Sequence, residues 1–338
     1  MTHREGIATT PADWKLTKVS SLIKDQNVIT IEGSLSVEEA CNVLINHNIS
    51  SAPVYTSSAT SVPTYVGMFD YGDVIAYILL VLRNISSPPP EVQEGQREDL
   101  YLGIKDVLCR AQEGQQVPIE LASDLSQKNP FYSIMNEATL LSAVEKFARG
   151  AHRVCVINPD GSIKGILSQS VVAKYLYKHQ RHFSDIECIM NKTLRQLDLG
   201  VSDVIAVNAD SLVLDALALM SKHNISSVAV LGHMGVVLGN ISMTDVKHVM
   251  KSYHHQLLWK TCFQFVSLVR IQQGIDDGQD RLPVFDVRLD TTLGFAVAKL
   301  LATKSHRVWV VDEREKAIGV VSITDVMRAI LHSVSASN

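Results

Sequence analysis

A chain of 338 residues, 46% apolar and 20% charged with a formal net charge of -4, is long enough for about two domains with real hydrophobic cores. That balance excludes both the low-hydrophobicity pattern of disorder and the basic footprint of a nucleic-acid binder. Five scattered cysteines (Cys41, Cys109, Cys155, Cys188, Cys262) without a CxxC exclude a disulfide framework or a zinc site and point to a reducing, intracellular compartment.

The N-terminal MTHREGIATT has no apolar core, and the longest apolar run, over 74–82, is about half a membrane span, so neither secretion nor membrane insertion is expected. A β-branched strand is predicted over 28–31, then an amphipathic helix, HNISSAPV at 47–54, a second apolar strand ending near Gly67, and a closing helix over 74–82. Residues 84–126, with three prolines at 88–90 and the charged run EVQEGQRED, read as a linker with one short helix over 100–110. The same plan then restarts. A strand is predicted over 131–135, AHRVCVI occupies 151–157, the turn Asn158-Pro159-Asp160-Gly161 follows, a strand ends near Gly165, and a helix runs over 171–177. The third copy has a strand over 204–207, a helix over 212–223 with Leu214, Leu217, Ala218 and Met220 on one stripe, HNISSVAV at 223–230, and Gly239. Between it and the fourth copy, Val249, Met250, Tyr253, Leu257, Cys262, Phe265, Val266 and Val269 predict one long helix packed on a core, partner docking being the other use of such a stripe. The fourth copy has a strand over 284–287, SHRVWVV at 305–311, Gly319 and a helix over 326–331.

Self-similarity at a period of about 60 residues therefore organises the chain. The units are placed at 15–83, 127–180, 194–252 and 281–334, with a linker at 84–126 and a helical connection at 253–280. Copies one and three carry HNISS and copies two and four carry HRV, which groups the copies as 1 with 2 and 3 with 4.

The corner after each glycine is the sharpest signal: Asp70-Tyr-Gly-Asp73, Ser168-Gln-Ser-Val171, Ser242-Met-Thr-Asp245 and Ser322-Ile-Thr-Asp325. This G-x-x-[ST]-x-x-D corner resembles that of the CBS domain, whose copies pair in tandem into Bateman modules. The resemblance covers about 300 residues. It implies an α/β fold of four β-α-β-β-α repeats, paired across their short sheets into two modules and packed as a disc. QKNPFYSIMNE, GNISMTDVKHV, RLPVFDV, LATKSHRVWVV and PADWKLTKVSSLIKDQNVI are most similar to the fungal four-CBS regulators of cell separation and stress response, related to inhibitors of type 2A protein phosphatases. The γ subunit of AMP-activated protein kinase is a more distant likeness.

The resemblance implies a regulatory protein without catalysis that inhibits or scaffolds a phosphatase in cell-cycle, nutrient and stress signalling, in cytoplasm and nucleus. It implies phosphatase or kinase subunits as partners and no obligatory cofactor, with AMP, ADP or ATP as an optional ligand, and leaves a homodimer open. The alternative is the nucleotide-sensing γ subunit of an AMP-activated or SNF1-type kinase.

For Asp245 and Asp325 two roles compete: the carboxylate completes a capping box with Ser242 or Ser322, or, as the resemblance implies, it holds both ribose hydroxyls. Asp73 keeps the acid but has Asp70 at the cap. The pairs His152-Arg153 and His306-Arg307 are either solvated strand-edge pairs or the phosphate contacts that the resemblance implies. Ser226, Ser227, Thr244 and, in the fourth corner, Thr324 are further hydroxyl candidates. Val171 stands where the other copies have Asp, so the second unit's ribose site is expected to be defective, with at most three nucleotides per chain. No GxSxG, GxxxxGK[ST], HExxH or post-strand GxGxxG occurs, and the adjacent His254-His255 and the loop at 276–280 lack metal-ligand spacing. RVCV and RVWV faintly resemble a phosphatase docking motif but fall in predicted core strands.

Overall fold

The computed structural model describes residues 13–24, 26–57, 64–84, 106–111, 113–251, 255–277 and 286–336. Expectations for the prolines at 88–90, for the helix over 100–105, for Tyr253, His254 and the turn at 278–280, and for the strand start at 284–285 lie outside those residues.

Each repeat is a short strand, a helix, a hairpin and a second helix. The first holds β1 (Ile31–Glu32), α1 (Val37–Asn46), β2 (Ser51–Thr56), β3 (Thr64–Asp70) and α2 (Tyr71–Asn84), and a short α3 (Ile119–Ala122) follows. The second holds β4 (Ser133–Met135), α4 (Leu140–Ala148), β5 (Arg153–Ile157), β6 (Ile163–Ser168) and α5 (Gln169–His179), followed by α6 (Ser184–Met190). The third holds β7 (Ala206–Asn208), α7 (Val213–Lys222), β8 (Ser227–Leu231), β9 (Val237–Ser242), a 3₁₀ turn Met243–Asp245 and α8 (Val246–Met250), followed by α9 (Cys262–Asp277). The fourth holds β10 (Asp286–Val287), α10 (Leu293–Ala302), β11 (Arg307–Val311), β12 (Ala317–Ser322) and α11 (Ile323–Ala336).

In every repeat the first strand pairs parallel with the second and the second antiparallel with the third. The register slips at one equivalent place, beside the pairs Val54–Gly67, Val156–Gly165, Val230–Gly239 and Val310–Gly319. These glycines are needed for close approach. A Cβ on Gly165 would stand 2.6 Å from Ile23 Cδ1, one on Gly239 2.7 Å from Val266 Cγ1, and one on Gly319 would land on the Gly200 carbonyl. The crossing segment in each case precedes the other repeat of the same pair. Residues 14–23 pack on repeat two, 117–122 on repeat one, 183–200 on repeat four and 258–269 on repeat three.

Sheet faces join one with two and three with four. Met68 Sδ meets Cys155 Sγ at 4.0 Å, Tyr65 stacks on Phe131 at 5.6 Å, and Ala229, Val237, Trp309 and Val311 form a small core between the third and fourth sheets. Helices make the other two joints, and the larger ones: one core unites repeats two and four, another repeats one and three. The four repeats thus close a ring. Arg153-Val-Cys-Val and Arg307-Val-Trp-Val are buried strands at its sheet joints, unavailable for docking.

One expectation is corrected. The long helix between repeats three and four is three pieces: α8 ends at Met250 and Lys251 is extended, a 3₁₀ turn spans His255–Trp259, and α9 starts at Cys262. The break has local causes. The Lys260 carbonyl accepts from Val213 N at the start of α7, and Thr261 and Gln264 cap each other reciprocally, each backbone N–H donating to the other's side chain at 3.2 Å. Thr-x-x-Gln is a helix-start signal that a continuous apolar stripe hides.

Candidate functional site

A cavity of about 540 Å³ opens where all four repeats meet, on the side of the one–three core. Its apolar lining includes Leu44 and Ile45 of α1 and Phe265, Val266 and Val269 of α9. Its polar lining brings together His152, Arg153, Ser226, Ser227, Ser242, Thr244, Asp245, His306 and Arg307, nine of the residues singled out from the sequence. The two HRV motifs, distant in sequence, converge because β5 and β11 begin at the centre of the ring.

Asp73, Ser322, Thr324 and Asp325 do not line this cavity. The three corner carboxylates do share the cap. Asp245 Oδ2 accepts from Ser242 N at 2.8 Å and Ser242 Oγ at 2.9 Å, and Asp325 Oδ2 accepts from Ser322 N at 2.9 Å and Ser322 Oγ at 2.6 Å. Asp73 Oδ2 accepts from Asp70 N at 2.9 Å. The second oxygen separates them. Asp73 Oδ1 accepts from Ser126 N at 2.9 Å and Asp325 Oδ1 from Arg328 Nη1 at 3.0 Å, whereas Asp245 Oδ1 has no hydrogen-bond partner among the described residues. Capping and ligand holding are therefore compatible in Asp245: one oxygen serves the helix and the other is free of the cap.

In the second corner Gln169 is buried and donates to the carbonyls of Ala151 at 2.9 Å and Phe147 at 3.3 Å and to Thr324 Oγ1 at 3.0 Å. Val171 packs against the two–four core.

The electrostatics are one-sided. Arg153, Arg270, Arg307, Lys247, Lys251 and Lys304 line the cavity, and Asp245 is its one acid. Burial, then the Arg153 charge beside it, pushes the His152 imidazole down to about 3, and burial and the same arginine lower His306 too, so both are neutral donors or acceptors at neutral pH. Burial raises the Asp245 carboxyl, opposed by the Ser242 hydrogen bonds and then by Lys247 and Arg270. Asp73 is held well above the usual carboxylate range by burial and then by Asp70. Arg153 donates to Ser50 Oγ at 3.2 Å and to Ser51 Oγ, but its buried Nε and the buried Ser227 Oγ have no partner among the described residues. Two orphaned buried polar atoms beside a cation-lined cavity mark a place for an anionic oxygen-bearing ligand.

The lysines, Arg270 and the α1 residues were not found from the sequence. Lysines in a helix's first turn and after a helix look like solvated surface, and only the ring brings them to one cavity.

The CBS domain family matches residues 19–80, 122–178, 196–252 and 280–332. The chain is 37% identical over 341 residues to Protein SDS23 of Kluyveromyces lactis, covering 93% of this chain and 62% of that protein. To Protein SDS24 of Saccharomyces cerevisiae it is 35% identical over 323 residues, covering 91% and 58%. The chain thus spans less than two thirds of the curated relatives it matches. Among solved structures, a Methanocaldococcus jannaschii protein described as a candidate archaeal homologue of γ-AMPK superposes with a TM-score of 0.64 at 13% identity, covering 92% of this chain and 99% of that one, a likeness of fold. With four matched copies, each with the same sheet order, register slip and glycine crossing, the chain belongs to the CBS-domain family of regulatory repeats and is related to the fungal SDS23 and SDS24 proteins.

Proposed function

We propose that the chain is a regulatory protein without catalytic activity that binds one adenine nucleotide in the central cavity and passes its occupancy to a protein phosphatase partner, in cytoplasm and nucleus. One observation carries the nucleotide reading: Asp245, with one carboxylate oxygen free of the cap, lines the same cavity as Arg153 and Ser227, whose buried Nε and Oγ lack partners among the described residues. A carboxylate oxygen suits a ribose hydroxyl, and an arginine fork and a hydroxyl suit a phosphate. The apolar lining residues Leu44, Ile45 and Val266 suit a planar base. The phosphatase partner rests on the sequence resemblance to the fungal four-CBS regulators. The kinase γ-subunit reading rests on shared fold alone.

Titration calorimetry with AMP, ADP and ATP tests the site. One equivalent per chain is expected, with affinity reduced at least about tenfold in Asp245→Asn. A folded chain that takes up no nucleotide at millimolar concentration overturns the reading. Affinity capture from cells tests the partner: stoichiometric recovery of kinase α and β subunits in place of a phosphatase overturns that half alone.

A further inference from the structure

At the end of the first helix of each repeat the chain turns through one left-handed residue: Asn48 at φ 51°, Gly150 at φ 108°, Asn224 at φ 50° and Lys304 at φ 54°. Glycine has no Cβ to clash there and asparagine tolerates the conformation through its short polar side chain, whereas lysine has neither advantage. Lys304 thus holds a backbone conformation that the three equivalent positions give to asparagine or glycine, as Gln127, Met234 and Glu315 do elsewhere in the chain, and its side chain has a second place to act.

Lys304 lines the central cavity together with Lys247 and Lys251. None of the three forms an ion pair with a described carboxylate. Six basic side chains against one carboxylate among the described lining residues leave an excess of positive charge around the cavity. Near neutral pH a nucleoside monophosphate brings about two negative charges and a triphosphate about four, so the longer chain comes closer to balancing the walls. The cations are also spread out. Arg153 belongs to repeat two, Lys247 and Lys251 to repeat three and its exit, and Lys304 and Arg307 to repeat four, so a chain of phosphates can engage several together.

We propose that Lys304, supported by Lys247 and Lys251, makes the cavity selective for the triphosphate form of its nucleotide over the monophosphate. The inference rests on the reading of the cavity as a nucleotide site. Calorimetry in EDTA, with ATP and AMP as ligands, compares the wild type with Lys304→Asn, which installs the residue that repeats one and three carry at this turn. The wild type is expected to bind ATP at least about tenfold more tightly than AMP. Lys304→Asn loses about tenfold in ATP affinity and no more than about twofold in AMP affinity, with a melting temperature equal to or above that of the wild type. Lys247→Gln with Lys251→Gln shifts the ATP to AMP ratio in the same direction. Equal wild-type affinities, or equal losses for both nucleotides in Lys304→Asn, overturn the selectivity and leave the nucleotide site standing. A wild type that binds neither removes the site itself.

Discussion

The one–three and two–four cores are built from the same repeat, joined by the same helices, yet one borders the 540 Å³ cavity and the other is bridged by polar side chains of repeats two and four. On the bridged side Gln169 spans from two carbonyls of repeat two to Thr324 of repeat four, and Arg328 reaches the Ala148 carbonyl at 2.9 Å while pairing with Asp325. The counterpart of Gln169 in repeat one is Tyr71, and that of Arg328 in repeat three is His248, and both line the cavity. A polar amide and a long cation bridge one of two equivalent joints. Duplication of a fold therefore does not duplicate its site: the backbone corner persists, and a few side chains in the closing helix's first turns decide whether a ligand can enter.

The largest test of this difference is on stability. Phe147, fully buried in the two–four core, is expected to cost about 3 to 5 kcal/mol on Phe147→Ala, measured by urea unfolding, with nucleotide affinity preserved. Parallel loss of affinity would mean that the two–four core is part of the site. Next, Arg153→Ala is expected to reduce nucleotide affinity by about ten- to a hundredfold, because a charge-assisted contact is worth about 1.5 to 3 kcal/mol. An unchanged dissociation constant would return Arg153 to a purely structural bond with Ser50 and Ser51.

The comparison sharpens with the two corner acids. Asp245→Asn should lose about tenfold in affinity, whereas Asp325→Asn should bind as the wild type does and lose about 1 kcal/mol of stability through its cap. Equal affinity losses would place a second ligand in the two–four core. A further test is on pH dependence. An unfolded histidine protonates near 6.5 while folded His152 stays neutral down to about 3, so the unfolded state binds more protons between those values. The stability that His152 contributes is complete above that window and is lost as pH falls through it. His152→Gln should flatten the decline of unfolding free energy, and an unaltered slope would show that another group carries it.

Much of this architecture was readable before folding. The repeated HNISS and HRV stretches, the glycine before each corner and the alternating pattern specified four units and their grouping, because strand and helix periods and turn chemistry are local properties. The cap role of Asp245 and Asp325 was readable for the same reason. Local patterns could not tell that Ser126 N would take the second oxygen of Asp73, since the two lie 53 residues apart. Nor could they separate Lys304 from a lysine in an ordinary helix terminus. The break after Met250 was hidden because a hydrophobic stripe continued in register across it while Thr261 and Gln264 supplied a fresh start.

The sequence by itself determined the repeat, its strand and helix order, the corner chemistry and the inventory of arginines, histidines and carboxylates. Only the tertiary structure decided which corner kept a free oxygen, which core borders the cavity and which lysines line it. Those outcomes depend on side chains from repeats roughly 60 to 150 residues apart meeting within hydrogen-bond reach, and that proximity is set by the closing of the ring, to which no local pattern is sensitive.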